Sequence, residues 1–280
     1  LSMVVYATGC TDFGAVVSAA NHGWEFLPIY LGPILVFVFG WPVLAKFNAV
    51  VKTHRIGSLA DFMSARYGRS QPLAVLTTVV ALLGTIPYIA LQLKAVGQTF
   101  NIMAGSPTGI EPEIFDTAFF AAIFLTIFAI LFGTRLPGQR RDSNRGMMIA
   151  IAFESVVKLI AFVLVGIFCT FELYDGFDNL FNLARQDPQV ASVFSTDFSQ
   201  WALVTQLLLA SLAIICLPRQ FHVTFVESPD EERYRNNARW FFPLYLLGFI
   251  IFVVPIATAG LLKFGGLAPP DAFVLLLPMA

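Results

Sequence analysis

Seven long apolar runs, each closed off by a short polar or charged stretch, leave this chain few ways to fold. They cover approximately residues 1 to 20, 27 to 47, 72 to 103, 116 to 134, 147 to 171, 201 to 218 and 240 to 263. Each is near the length of about 20 helical residues that crosses a hydrocarbon layer roughly 30 Å thick. The runs lack the alternation of a membrane barrel, and lipid cannot satisfy open backbone groups, so helices remain. Composition agrees: with 57% hydrophobic and 12% charged residues there is too little charge to coat a globule in water. The expected fold is all-α, a polytopic transmembrane bundle of about seven spans in one membrane domain over residues 1–280.

Alternating crossings predict two faces, and the basic residues test the alternation. Lys46, Lys52, Arg55, Arg66 and Arg69 follow the second run, Arg135, Arg140, Arg141 and Arg145 the fourth, and Arg219, Arg233, Arg235 and Arg239 the sixth. The opposite face holds Arg185 and Lys263 among Glu111, Glu113, Asp116, Glu172, Asp175, Asp178, Asp187 and Asp197. The basic face is expected to be cytoplasmic, with loops 48–71, 135–146 and 219–239 there, in a bacterial inner membrane. Both ends fall inside apolar stretches, with no basic leader or cleavage site, so the chain reads as a fragment truncated at both ends. Cys10, Cys169 and Cys216 lie in or beside apolar runs without metal-ligand spacing and read as small buried residues.

The first run contains Ala7-Thr8-Gly9-Cys10-Thr11-Asp12-Phe13-Gly14, two glycines and a carboxylate at membrane depth. One reading is an unwound stretch lining a site, since broken helices offer carbonyls to cations and ionisable groups at this depth are functional by default. The other is close helix packing at the glycines, with Asp12 hydrogen-bonded to a neighbour. Glu154 and Lys158 stand four apart on the fifth run, acid before base, so they can neutralise each other as an intramembrane ion pair. That pair serves packing or proton movement. Lys94 can snorkel to water. Ile86-Pro87-Tyr88 interrupts the third run and, with Gln92 one turn on, offers polar and aromatic surface that serves either packing or a solute. Leu217-Pro218-Arg219-Gln220-Phe221-His222 breaks the sixth run, with Arg219 and His222 alternatively anchoring at headgroups. Ser58-Leu59-Ala60-Asp61 predicts a capped start to a short helix running on to Gly68.

No phosphate loop, Cys/His metal constellation or nucleophile–base pair is present, and His22, His54 and His222 fall on different connections. The chain is therefore not expected to be an enzyme, to hold a cofactor or to bind nucleic acid; its expected surroundings are the lipid bilayer.

Three strings resemble the sodium/solute symporter family, which has the inverted-repeat fold of the leucine transporter: Ser58 to Gly68, the Leu131-Phe132-Gly133-Thr134-Arg135 turn, and the Pro218 to His222 break. A closer resemblance is to the membrane domain of CbrA-type sensor histidine kinases. It is carried by Gly23-Trp24-Glu25-Phe26-Leu27-Pro28-Ile29-Tyr30-Leu31-Gly32-Pro33, by Ala152-Phe153-Glu154-Ser155-Val156-Val157-Lys158 and by Leu217 to His222. The resemblance implies a partial inverted-repeat fold in which runs one and six are broken helices. It implies that backbone near Gly9 and Asp12 supplies part of a sodium site. Thr11, Asp12, Tyr88, Gln92, Pro218 and Gln220 become the substrate-side candidates. Asp12 departs from the small or apolar residues common nearby, which leaves the coupling ion open between Na+ and H+.

Two functions follow from the resemblance. One is a cation-coupled symporter for a small solute, such as the amino acid histidine, serving as the transport and sensing module of a sensor histidine kinase. The other is a nutrient receptor that signals without obligatory transport. In both, the implied partners beyond this chain are cytoplasmic kinase modules and a response regulator.

Overall fold

Every described secondary-structure element is helical, as the apolar runs require. The computed structural model describes residues 9–103, 113–133, 145–195, 199–227 and 231–279. In chain order these form α1 (Gly9–His22), α2 (Leu27–Val38), α3 (Trp41–Thr53), α4 (Leu59–Arg66), α5 (Gln71–Met103), α6 (Glu113–Gly133) and α7 (Arg145–Ile167). There follow α8 (Phe177–Gln186), α9 (Pro188–Ser195), α10 (Gln200–Cys216), α11 (Pro218–Phe221), α12 (Glu231–Phe264) and α13 (Phe273–Leu276). Two single π-turns extend the ladder, Phe168–Glu172 after α7 and His222–Val226 after α11.

The seven expected spans resolve into fewer clear ones. Among the described residues three helices are long and apolar enough to cross alone, Gln71–Phe100, Ala152–Glu172 and Arg239–Phe264. Up to five result if Phe13–Val38 with Trp41–Thr53, and Pro188–Ser195 with Gln200–Cys216, each count as one bent span. The first two expected runs are not separated by a loop, because Gly23–Phe26 stays helical as a 3-10 turn between α1 and α2. Gly23 makes that junction with φ +59°, and a side chain there would run into the Val193 carbonyl at 2.6 Å, so glycine is required twice over. The expected interruption at Ile86–Tyr88 is also absent, since α5 continues through Pro87. The cap at Ser58 is present: its Oγ accepts the Asp61 amide at 3.1 Å, and α4 stops at Arg66 before a left-handed Gly68.

Two parallel seams organise the core. Along the first, Trp24 meets Phe194, the Ser211 hydroxyl donates to the Gly32 carbonyl at 3.2 Å, and Phe47 stacks near Phe225, so residue numbers rise together on both sides. Small residues make this approach close, because a Cβ on Gly32 would stand 2.7 Å from that of Ala210. Along the second, α7 runs beside α12: Tyr245 donates to the Ser155 carbonyl, Phe162 packs on Phe249, and Gly166 receives the Phe252 ring. In a bilayer each parallel pairing requires an odd number of crossings between its members. The helix α12 joins the seams, with Phe37 of α2 stacked on Phe242 at 4.1 Å and α1 packed along it through small buried residues such as Ala15 and Ala19. By contrast, α5 packs mainly on α6 and α4, and none of its most apolar window is buried. A face that apolar and uncovered is suited to lipid.

Cys169 is buried as expected, whereas Cys216 is exposed. It falls at the last position of α10, where the helix stops and its side chain has no following turn to pack on. Cys10 lies where side chains are outside the described residues.

Candidate functional site in the broken helix

The chemistry of this chain concentrates where α10 gives way to α11. The last α-helical bond runs from the Leu217 amide to the Ala213 carbonyl at 3.1 Å. Leu217 itself is extended, with φ −73° and ψ 123°. The carbonyl of Ile214 would normally be answered by the amide four residues on, but that residue is Pro218, which has none. Ile214 is fully buried, so this acceptor cannot turn to water. The carbonyl end of α10 carries the negative end of its dipole and suits a cation or a donor.

After the break, α11 makes one turn and passes into the π-turn His222–Val226, whose wide ladder closes with the Glu227 amide on the His222 carbonyl at 3.0 Å. Such turns are rare and concentrate at functional sites. Gln220 and Thr224 are buried on this segment, with Gln220 Nε2 donating to Thr224 Oγ1 at 3.4 Å. Phe221 and Phe225 pack with Phe47 of α3 and Phe62 of α4, fixing the segment from the other side. Asn48 of α3, the helix that packs on the π-turn, is 1% exposed and its Oδ1 has no hydrogen-bond partner.

Arg219 takes the opposite direction. Its Nη2 donates to the Tyr88 hydroxyl at 3.0 Å, and its guanidinium lies 4.9 Å above the Tyr88 ring. Tyr88 stands near the middle of α5, about 25 Å from one end and about 23 Å from the other at 1.5 Å per residue. The guanidinium is therefore held against the middle of α5.

The structure thus brings together Tyr88 and the turn that contains Pro218 and Gln220, by way of Arg219 between the last two. Gln92 stands one turn further along α5 and is half-buried. Gly9, Thr11 and Asp12 lie on α1, which touches α5, but their side chains fall outside the described residues. Backbone from Gly9 to His22 is α-helical, so the unwinding expected between Gly9 and Gly14 is not present within α1. Glycine permits a break without compelling one, and α1 is held straight along α12. Glu154 and Lys158 do pair, at 2.6 Å, with the lysine side chain 39% and the glutamate 57% exposed. Sequence reading missed Asn48, Thr224 and the role of Arg219. The one available signal was an arginine directly after a proline inside an apolar run.

Comparison with known proteins finds distant relatives named as symporters. Over 283 residues, 99% of this chain and 53% of the relative, the chain is 24% identical to the uncharacterized symporter YhjB of Bacillus subtilis (strain 168). Over 236 residues, 79% of this chain and 43% of the relative, it is 23% identical to the uncharacterized symporter YodF of the same organism. The chain spans about half the length of the curated relatives it matches. No family model matches, and no solved structure matches. Both relatives carry the name of symporters and neither that of a kinase. Its apolar helices and this distant relatedness fit an integral membrane protein.

Proposed function

We propose that the chain is part of a cation-coupled symporter domain for an amino acid or similar small polar solute. The observation that carries this reading is the broken helix α10–α11, with a helical bond deleted at Pro218 on one side of the break and a guanidinium held on Tyr88 on the other. An isolated helix in lipid has no use for either, whereas a solute pocket at mid-depth needs both. Tyr88, Gln92, Pro218 and Gln220 form the solute side of this pocket. Gly9, Thr11 and Asp12 belong to the helix that closes it and to part of an Na+ or H+ site. The seven-span, inverted-repeat arrangement and a bacterial inner-membrane location belong to the same reading.

Reconstitution of the intact protein into proteoliposomes tests it. Uptake of at least one amino acid should rise when an inward sodium or proton gradient is imposed and fall in Asp12→Asn. Uptake unchanged by collapsing both gradients refutes coupling, and no uptake of any solute refutes the symporter.

A further inference from the structure

We infer that α3, α4 and the turns around them form a contact for anionic phospholipid, the surface on which this end of the bundle rests against headgroups. The inference needs only a chain that crosses a membrane, and it holds whether or not the broken helix α10–α11 carries a solute. Trp41–Thr53 leaves the preceding Phe13–Val38 segment at 71°. A helix that departs at this angle from a crossing with the usual tilt of about 20° runs nearer the membrane plane than its normal. The side chains of α3 suit that position. Leu44, Asn48 and Val51 are buried, and the opposite side carries Val43 and Val50, 49% and 41% exposed, with exposed Lys46 between them. Phe39, 75% exposed, stands just before the helix. Apolar side chains beside a lysine whose stem can reach past them match a helix seated among headgroups and upper acyl chains.

Charge selects the lipid. Residues 39–70 contain five basic side chains, Lys46, Lys52, Arg55, Arg66 and Arg69, against the single acid Asp61. All five are exposed, and among the described residues no ion pair involves Lys46, Arg55, Arg66 or Arg69. The backbone adds a second observation. Arg55 and Arg69 stand at φ 51° and 59°, two of the three described non-glycine residues with positive φ. Glycine or asparagine suits such positions better than arginine, so local structure does not account for the arginines, whereas their charge does. A headgroup of net negative charge supplies the counter-charge, and each basic residue brought near such a surface is worth about fivefold in affinity. A zwitterionic headgroup offers the same phosphate already paired with its own cation.

The test uses the intact protein in phosphatidylcholine vesicles, with a tryptophan introduced by Val50→Trp and the parent protein as background for the native tryptophans. The probes are phosphatidylglycerol and phosphatidylcholine, each brominated near the headgroup end of identical acyl chains and added at the same minor fraction. From quenching of the introduced tryptophan, the apparent affinity for phosphatidylglycerol should exceed that for phosphatidylcholine by about fivefold or more. Lys46→Gln, Arg55→Asn and Arg69→Asn together should bring that ratio near one. Stability of the triple variant in neutral detergent should be unchanged or raised, because asparagine tolerates the left-handed backbone. Ionic strength of about 1 M, where the Debye length is about 3 Å, should collapse the ratio without any substitution. Equal quenching by the two lipids at low salt overturns the inference, as does a ratio that survives in the folded triple variant or at high salt. Quenching by neither lipid would show α3 to be covered by protein instead, and overturns it as well.

Discussion

Replacing Gly32 by alanine tests the parallel seam between α2 and α10. The added methyl would lie 2.7 Å from the Ala210 Cβ, 2.8 Å from the Ser211 amide nitrogen and 3.0 Å from the Ala210 carbonyl carbon. Carbon atoms rest about 3.5 to 4.0 Å apart, so relief takes a shift of roughly 1 Å. Two of the three obstacles are main chain, which no rotamer change can clear. Separating the helices also stretches the bond from Ser211 to the Gly32 carbonyl, already 3.2 Å long. Overpacking on this scale costs about 1 to 3 kcal/mol. Alanine gains up to about 1 kcal/mol in helix propensity, which would mask part of the loss. Gly84 provides the reference, because it sits in mid-helix on α5 with nothing within 4 Å of an added Cβ. Gly84→Ala keeps the propensity gain without the clash. The difference between the two variants in denaturant unfolding in detergent should therefore be about 1 to 3 kcal/mol, with Gly32→Ala the less stable. Equal stabilities would show that the two backbones do not approach as described, and the alignment of the two breaks would go with them.

Three further outcomes are expected. Asn48→Leu should raise stability by about 1 kcal/mol or more in the same unfolding assay, since a buried acceptor without a partner is removed at little change in volume; destabilisation would mean that Oδ1 has a bound partner. Glu154→Leu and Lys158→Met should each destabilise more than the double variant does, because one charge left at membrane depth is worse than none; additive losses in the double-mutant cycle would show the two charges to be independent. Ser58→Ala should cost about 1 kcal/mol and speed amide exchange in Leu59–Arg66, and unchanged exchange would mean that the serine does not hold the helix start.

Much of this architecture was legible along the chain because membrane helices advertise themselves by length and apolarity alone. The cap at Ser58 could be read because its mechanism is local, one side chain and one amide three residues on. Pro218 could be read as a break because it deletes a specific helical bond. Other signals were permissive and so misled. Gly9 and Gly14 allow an unwound helix, Pro87 allows an interruption, and in both places the helix continues. The linker at Gly23–Phe26 stays helical, which no apolarity profile reveals. What lay beyond sequence was pairing across distance. Tyr88 and Arg219 are separated by 131 residues, and neither carries a local mark of the other. Asn48 is a polar residue on a helix with polar neighbours; only the packing of α3 on the π-turn buries it.

The bend of 71° between Phe13–Val38 and Trp41–Thr53 and the break at Leu217 lie abreast, each about six residues beyond the Gly32–Ala210 approach. Two strips laminated in this way cannot flex separately, since straightening either one would drag it past its neighbour through main chain. The limbs beyond the crease are riveted by the rings of Phe47, Phe62, Phe221 and Phe225, so they swing as one paddle. A displacement that starts at the Arg219 side of the crease would therefore reach Asn48 and α4 as rigid rotation.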